Sequence, residues 1–458
     1  MVSQVVFTLL VLVSFGIAAR KYAQLRRNIL LGKAEKISGD SDQRLKNVVL
    51  IAFGQQKMFK RWLPAVLHFF IYAAFVITQI ELIEILVDGF TGRHRFFYKP
   101  LGGFYVFIIS FIEILSVLAF IATFAFLARR NLLKIPRFHM PEMNGWPKLD
   151  GNIILYLEAL LIIFIFMMNG ADETIHVREG KGSYGFAVSS LLAPMFESFS
   201  TPTLHTLERI GWWGHIIIVF GFLNYLPFSK HLHVILAFPN VYYSKLTPKG
   251  EMENMPDIMN EVKSMMGLTE GGDEMPPENM DELPQFGASD VFTLSWKNLL
   301  DAYSCTECGR CSSVCPANIT GKKLSPRKIM MDVRDRAEEI GNNLDLNNLE
   351  CLKPEAKGQT DKLTKDNYDD GRSLFDLISN EELHACTTCN ACVEACPVTI
   401  NPLDIILKLR RHEILDLAAG PQDWLPMFTS IENSGSVWQI SDDRDAWTSA
   451  FEEEVADN

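Results

Sequence analysis

The chain changes character near its middle, from long apolar runs to a polar and acidic sequence. A helix needs about 20 apolar residues to cross the hydrocarbon core of a bilayer. Five segments of the first half have, or nearly have, that length. They are approximately Val2–Ala19, Leu63–Val87, Leu101–Ala128, Asn152–Met168 and Trp212–Phe238. The pattern predicts a bundle of five membrane-spanning helices in residues 1–240.

The distribution of basic residues predicts which end of the bundle faces the cytoplasm. The first span has neither a basic start nor a small-residue cleavage site, so we interpret it as an uncleaved helix rather than a signal peptide. Lys and Arg follow spans one, three and five and precede span two. The loop after span four instead begins with Asp172 and Glu173. Because basic residues collect on the cytoplasmic side, we expect the N-terminus outside and the second half of the chain in the cytoplasm.

The second half divides into an acidic linker at 241–290, a helical domain at 291–420 and a tail at 421–458. The linker is rich in Met, Pro, Gly, Asp and Glu without apolar periodicity, so we expect it to be at best partly helical. Helix-like patterns follow at Ser325–Ile340, Leu374–Leu383 and Pro402–Leu417. The fold class predicted for the whole chain is therefore all-α. The formal net charge of −12 argues against nucleic acid as a partner.

Eight of the nine cysteines fall into two groups with identical spacing. They are Cys305, Cys308, Cys311 and Cys315, followed by Pro316, and Cys386, Cys389, Cys392 and Cys396, followed by Pro397. In bacterial ferredoxins with this spacing, the fourth Cys of each run binds the other cluster. We therefore assign Cys305, Cys308, Cys311 and Cys396 to one [4Fe–4S] cluster, and Cys386, Cys389, Cys392 and Cys315 to a second. Two structural zinc sites are the alternative, but zinc sites rarely use cysteines so closely spaced.

The remaining cysteine, Cys351, is expected to be a free thiol. Thiolates that hold clusters must stay reduced, which favours the cytoplasm or an equivalent compartment. This expectation agrees with the orientation indicated by the basic residues.

Three histidines in the apolar half are candidate haem ligands. His68 lies near the inner end of span two, His215 begins span five and His233 lies near its inner end. Positions 215 and 233 are about five helical turns apart and should share one face of a continuous helix. We expect His68 and His233 to hold an inner haem b, although interfacial histidines can also serve only as hydrogen-bonding groups.

An outer haem at His215 would need a second ligand. About three turns outward from His68 the chain has Thr78 and Gln79, which are not usual haem b ligands, so we predict a single haem. Histidines of the outer segments could substitute, namely His94, His176 and His205. His231 is interpreted as a surface residue or a propionate partner. Acids within the spans could relay protons or bond neighbouring helices; they are Glu81, Glu84, Glu113 and Glu158.

The membrane half resembles the cytochrome b subunit of respiratory nitrate reductase. The run Leu63–His68 (LPAVLH) and the run Leu226–Val234 (LPFSKHLHV), with Pro239 soon after, carry the resemblance. It implies that His68 and His233 bind the inner haem. It also implies that His215 would bind an outer haem with a histidine at the position that Thr78 occupies here.

The second half resembles iron–sulfur oxidoreductases related to heterodisulfide reductase. The motifs are Cys305–Cys311 (CTECGRC), Cys315–Ala317 (CPA), Thr320–Pro326 (TGKKLSP), Ile431–Gly435 (IENSG) and Trp438. The last two usually lead into a cysteine-rich CCG domain, which does not follow before Asn458. The resemblance therefore implies a separate CCG-domain subunit, docked by the tail, and electron-transfer flavoprotein or another soluble redox donor or acceptor.

These features predict a subunit of a quinone-linked oxidoreductase in the inner membrane of a bacterium. Electrons would pass between a cytoplasmic redox partner, two [4Fe–4S] clusters, haem b and the menaquinone pool. The alternative is a non-catalytic membrane anchor or redox-sensing scaffold for a soluble oxidoreductase. That protein would need iron but neither haem nor quinone.

Overall fold

The computed structural model describes residues 1–248, 250–268, 286–358, 360–438 and 448. These residues form helices joined by turns, and no β-strand occurs among them. The helices of the first half are α1 (Val2–Ile29), α2 (Ser41–Asn47), α3 (Trp62–Ile77), α4 (Gln79–Thr91), α5 (Tyr98–Leu101), α6 (Gly103–Asn131), α7 (Trp146–Arg178), α8 (Ser189–Leu192), α9 (Thr201–Tyr225) and α10 (His233–Tyr242).

Five helical stretches are long and apolar enough to cross a membrane, which confirms the predicted number. Each has between 28 and 33 residues, because polar turns extend the helices beyond their apolar centres. The second stretch is formed by α3 and α4, which meet at Thr78. The fifth ends at Phe228 rather than at Phe238.

The helices of the bundle pack closely around aromatic side chains. Phe7 of α1 is fully buried and lies against Trp212 and Phe220 of α9. A side-chain carbon added at Gly211 would lie 2.7 Å from the backbone nitrogen of Met168, so α7 and α9 approach each other at backbone level. Small residues permit this approach between membrane helices, where dispersion contacts rather than water exclusion drive packing.

The fifth span is not the continuous helix that the sequence pattern predicts. Two short 3₁₀ turns separate α9 from α10, and Ser229 between them is extended. Pro227 interrupts the helical hydrogen bonding. Asp150 of α7, which is 2% exposed, accepts hydrogen bonds from the Ser229 hydroxyl (2.7 Å) and the Lys230 backbone N–H (3.0 Å). The argument that His215 and His233 share a face of one helix is therefore wrong.

The fourth span is also longer than predicted. Asp172 and Glu173 do not open a loop but lie inside α7, buried at 5% and 1% exposure. Asp172 is paired with Arg95, and the Ser183 hydroxyl donates to Glu173. Because these partners compensate the buried charge, the helix can continue to Arg178.

The helices of the second half are shorter. They are α11 (Pro256–Met265), α12 (Trp296–Tyr303), α13 (Pro316–Ile319), α14 (Pro326–Leu346), α15 (Asn380–His384), α16 (Ala391–Ala395), α17 (Pro402–Leu415) and α18 (Leu425–Ser434). The predicted helix Leu374–Leu383 is instead a 3₁₀ turn followed by α15. The part of the linker at 269–285 and most of the tail beyond Trp438 lie outside the described residues.

Residues 1–252 and 290–404 form one compact unit, so the membrane helices and the cysteine-containing segment are not separate bodies. Asn28, near the end of α1, donates to the Tyr303 hydroxyl (3.2 Å), and Asn240 of α10 donates to the Val398 carbonyl (2.9 Å). The Lys245 ammonium lies 2.6 Å from an Asp404 carboxylate oxygen. The second unit comprises 253–289 and 405–458, in which the Ala288 N–H bonds the Lys408 carbonyl (3.0 Å).

Candidate electron-transfer site

The two cysteine loops have left-handed residues at the same two positions. In each loop the residue two positions after the first Cys and the residue after the second Cys adopt positive φ. These are Glu307 (53°) and Gly309 (67°) in the first loop, and Thr388 (54°) and Asn390 (59°) in the second. Left-handed residues turn the chain sharply. Both loops therefore curve around a centre in the same way, as two copies of one cofactor-binding loop would.

The first loop and the last Cys of the second motif face the same space. Cys305, Cys308, Cys311 and Cys396 line a small cavity of about 30 Å³, to which Cys392 also contributes. The Glu307 N–H donates to the Cys305 sulfur (3.4 Å), and the Ile400 N–H donates to the Cys396 sulfur (3.3 Å). Hydrogen bonds to sulfur are among the features that set the potential of a cluster. The four thiols and these donors fit one [4Fe–4S] cluster.

The other four cysteines form a second neighbourhood. Cys392 lies within electrostatic range of Cys386, Cys389 and Cys315. Cys315, the fourth Cys of the first motif, therefore lies near the second motif. All nine cysteines are free of disulfides.

The thiols need a positive partner in order to ionise. Burial raises the pKa of Cys305 to about 12 and that of Cys396 to about 11. Bound metal deprotonates a coordinating thiol outright. Among the described residues no group of three or more His, Cys, Asp or Glu is spaced for a single metal ion. A cubane binds its four thiolates at separate corners, so its ligands lie further apart than those of one ion.

Basic side chains surround the first group of thiols. The Arg310 guanidinium, on a residue that is 6% exposed, lies 3.4 and 3.5 Å from the backbone carbonyls of Met58 and Lys57. Arg327 is fully buried, lines the cavity and bonds the Arg137 carbonyl (2.6 Å). This side of the cysteine-containing segment therefore meets the end of the helical bundle through cationic groups.

His68 and His233 lie next to each other at that end of the bundle. Their ring centroids are 6.3 Å apart. The His68 Nδ1 atom lies 3.1 Å from the Gln55 side-chain oxygen, and the His233 Nδ1 atom lies 3.0 Å from the Lys230 carbonyl. These acceptors hold the proton on Nδ1 and leave Nε2 free for a metal, which is the usual arrangement around a metal-binding histidine.

The separation of the rings fits a shared iron. A metal–nitrogen bond is about 2 Å and the nitrogen lies about 1 Å from the ring centre, so two axial histidines have centroids about 6 Å apart. The observed 6.3 Å meets this condition.

His215 lies elsewhere, on a cavity of about 320 Å³ lined by residues of the membrane helices. Its Nδ1 atom lies 3.2 Å from the Leu161 carbonyl. Thr78 and Gln79 line the same cavity, and both side chains donate to the Phe75 carbonyl. The alternative outer ligands His94, His176 and His205 line a separate cavity of about 180 Å³, to which His215 does not contribute. The structure therefore does not bring these three histidines to His215.

His231 is buried rather than on the surface. It is 9% exposed, lines the cavity that contains His215 and stacks on His233 with ring centroids 5.5 Å apart. Sequence reasoning missed this position because it assumed a regular helix, in which residues 231 and 233 point apart. The Leu226-Pro227 step was the signal that the helix ends there.

A buried ion pair connects the histidine loop to the cluster loop. The Lys230 ammonium lies 2.5 Å from the Glu307 carboxylate, whose other oxygen accepts from Arg334 at 2.8 Å. Burial alone would raise the pKa of Glu307, but the two cations outweigh it and hold this pKa below its ordinary value. The carbonyl of the same Lys230 accepts the His233 hydrogen bond. One residue thus fixes both a candidate haem ligand and the first cysteine loop.

Comparisons with known proteins agree with this arrangement of cysteines. Residues 304–400 match the family model of the 4Fe-4S dicluster domain. The chain is 28% identical over 92% of its length to "Probable iron-sulfur-binding oxidoreductase FadF" of Bacillus subtilis (strain 168). It is 26% identical over 90% of its length to "EtfAB:quinone oxidoreductase" of Syntrophomonas wolfei. The match covers 57% and 54% of those two proteins, so the chain spans little more than half of their length.

A third relative is the "Probable membrane-anchored ferredoxin" of Chromohalobacter salexigens, which is 35% identical over 28% of this chain and 18% of its own length. No solved structure matches the chain significantly. These three relatives are not nitrate reductases, so the resemblance of the membrane half to that family stays a prediction. The chain has five helices that are long and apolar enough to cross a membrane and a 4Fe-4S dicluster domain, and it is a homologue of iron–sulfur oxidoreductases.

Proposed function

We propose that the chain passes electrons between a soluble redox partner and menaquinone in the membrane, through two [4Fe–4S] clusters and one haem b. The observation that carries the proposal is the short physical connection between the cysteines and the histidine pair. Lys230 holds Glu307 between Cys305 and Cys308, and it also holds His233 beside His68. Bound clusters and haem would supply one-electron transfer, which no side chain of the chain provides.

The residues have separable roles in this proposal. Cys305, Cys308, Cys311 and Cys396 bind the buried cluster, and Cys386, Cys389, Cys392 and Cys315 bind the other. His68 and His233 bind haem b, oriented by Gln55 and by the Lys230 carbonyl. Cys389 is exposed, whereas Cys305 is buried beside the bundle. We therefore assign contact with the soluble partner to the second motif and contact with the membrane to the first.

The soluble partner is proposed to be electron-transfer flavoprotein. This assignment is supported by the printed name of the Syntrophomonas relative, which links EtfAB to a quinone. A CCG-domain subunit docked by the tail, the inner membrane of a bacterium as location and the cytoplasmic orientation of the clusters are further parts of the proposal. They are supported by the sequence resemblance and the distribution of basic residues.

The haem content per chain tests the proposal most directly. Protein purified without oxygen in mild detergent should contain about eight iron atoms in clusters and about one haem b by pyridine haemochrome. A menaquinol analogue should reduce the haem, and a dye acceptor should reoxidise it. Protein that is fully loaded with cluster iron but contains no haem would refute the proposal and favour an anchor or redox sensor.

A further inference from the structure

A chain of hydrogen-bonded polar side chains crosses the half of the bundle that lies away from the cysteines. Its members are nearly inaccessible: Glu81, Glu84, Glu113, Asn169, Asp172 and Arg95 have exposures between 0% and 6%. Buried polar groups within membrane helices are costly and are usually kept for function. Neither the haem pair nor the clusters use these residues.

The chain begins at the large internal cavity. Glu81 lines the cavity of about 320 Å³ together with His215, His231 and Glu158. In the part of the chain that the structure describes, the hydrogen bond to Glu81 comes from the Asn169 amide (3.4 Å). Arg95 lies within electrostatic range of Glu81 but forms its ion pair with Asp172. A carboxyl group at the wall of a cavity can exchange a proton with a molecule inside it. Glu81 is therefore poised to exchange a proton with a molecule in the cavity.

From Glu81 the polar contacts continue through the Asn169 side chain. The same Asn169 amide nitrogen lies 3.4 Å from Glu113, and the Asn169 oxygen accepts from Arg95 (2.8 Å). Glu84 lies one turn from Glu81 on α4, where side chains three positions apart are neighbours.

The phenol of Tyr105 continues the network. It donates to Glu84 (2.6 Å) and accepts from Arg95 (3.0 Å). Carboxylates and a phenol can accept and release protons, whereas Asn169 and Arg95 do not titrate and only position these groups.

The chain ends at a polar cavity at the end of the bundle. Arg95 bonds Asp172, whose other oxygen lies 2.9 Å from the His94 Nε2 atom. The His94 side chain is 43% exposed and lines the cavity of about 180 Å³ with His176 and His205. Histidine is the side chain best suited to exchange protons with water near neutral pH.

This end lies opposite the clusters. Gln4 at the start of α1 bonds the Phe90 carbonyl (3.2 Å), close to His94 in the chain, whereas Asn28 near the end of α1 bonds Tyr303 beside the first motif. A helix of 28 residues is about 42 Å long. The two ends are thus about one membrane thickness apart.

We propose that this network carries protons between a quinone site in the internal cavity and the end of the bundle that holds His94. The inference rests on the proposed quinone function. A quinol that is oxidised to the quinone loses two electrons and two protons. The electrons leave toward the clusters, and the two O–H protons pass to Glu81 and on to His94. When the quinone is reduced instead, electrons and protons follow the same two routes in the opposite direction. Quinone turnover would then move charge across the membrane.

Proteoliposomes test the proposal. Full-length protein is reconstituted with a pH-sensitive dye inside, a menaquinol analogue in the membrane and ferricyanide outside. Ferricyanide is present only outside, so it accepts electrons only from chains whose clusters face outward. In these chains the end of the bundle that holds His94 faces the lumen. Each quinol reduces two ferricyanide ions and releases two protons. We expect the lumen to acidify, and to stop acidifying when an uncoupler is added. Liposomes without protein give the background.

Two variants localise the route. Glu81→Gln keeps the side-chain shape and should reduce lumen acidification about tenfold or more, as the loss of a proton-transfer group usually does. His94→Gln lies at the exposed mouth and should fold normally. It should slow acidification at low buffer strength, and trapped imidazole should restore the rate. Glu197→Gln, on an exposed residue, is the matched control and should behave as the wild type.

The outcomes are distinguishable. If no electrons reach ferricyanide although haem and iron are present, the proposed quinone function fails and this inference fails with it. If electrons flow but the protons appear outside, the proton route is refuted while the quinone function stands. Unchanged acidification in both Glu81→Gln and His94→Gln would also refute the route.

Discussion

Replacing Glu307 with Gln tests whether the buried ion pair holds the cluster loop to the bundle. Glu307 is 3% exposed and lies between two cations, Lys230 at 2.5 Å and Arg334 at 2.8 Å. Gln has nearly the same shape but leaves both cations without this countercharge. Removing one partner of a buried pair costs about 3–5 kcal/mol. In the variant Lys230 would still have Asp150 at 3.9 Å, and Arg334 would still have Asp335 at 3.0 Å. We therefore expect a loss of free energy of unfolding at the lower end of this range, about 3 kcal/mol.

The assay is thermal loss of the visible cluster absorbance in detergent-purified protein with verified iron content. At about 2–4 °C per kcal/mol, Glu307→Gln should lower the midpoint by about 6 °C or more. Asp335→Asn is the matched control, because it alters the exposed partner of Arg334 and should cost at most about 1 kcal/mol. Since the folded pKa of Glu307 is lowered, its stabilisation is complete at neutral pH and is lost only as the pH falls through that value. Equal midpoints for the two variants would refute the reasoning.

Three further predictions concern the cofactors. Cys396→Ser and Cys308→Ser should lose the same cluster, and Cys389→Ser the other; different residual EPR spectra for the first two would contradict the assignment. His68→Ala should lose haem b by pyridine haemochrome while His215→Ala retains it, and haem retained in His68→Ala would exclude the pair. Arg310→Gln should lower the reduction potential of one cluster by about 60 mV in an EPR-monitored titration, if the Arg310 charge changes the reduced fraction tenfold. Lys365→Gln, on an exposed residue, should leave the potential unchanged. Equal titration curves for the two variants would show that Arg310 does not act on the cluster.

The grouping of the cysteines in space agrees with what their spacing predicts, while the assignment of each Cys to a cluster stays a prediction. Cys396 lies with the first motif and Cys315 with the second, as the spacing indicates. The number of membrane helices could also be predicted, since a bilayer fixes their length. Both predictions rest on constraints that act over a few neighbouring residues.

The histidine side of the site could be predicted only in part. The break at Leu226–Leu232 depends on Asp150, about 80 positions earlier, which accepts the hydrogen bonds that the broken helix frees. No local pattern reveals such a partner. The same limit explains why the sequence predicts a loop at Asp172, whereas its burial inside α7 is compensated by Arg95 on another segment. Long-range charge compensation, rather than local propensity, decided both cases.

The distribution of charge explains why the first motif, rather than the second, should face the membrane. A cluster bound by four thiolates carries net negative charge, which burial opposes unless cations are near. Arg310 and Arg327 line the cavity of the first motif, and Arg137 lies within electrostatic range of Cys308. The second loop has no basic residue of its own between Cys386 and Cys396, although Lys57 and Lys60 contact Val393 and Glu394. Its Cys389 is exposed to solvent, which can itself stabilise charge. Nearby cations also favour the reduced state, so we expect the first cluster to have the higher reduction potential of the two.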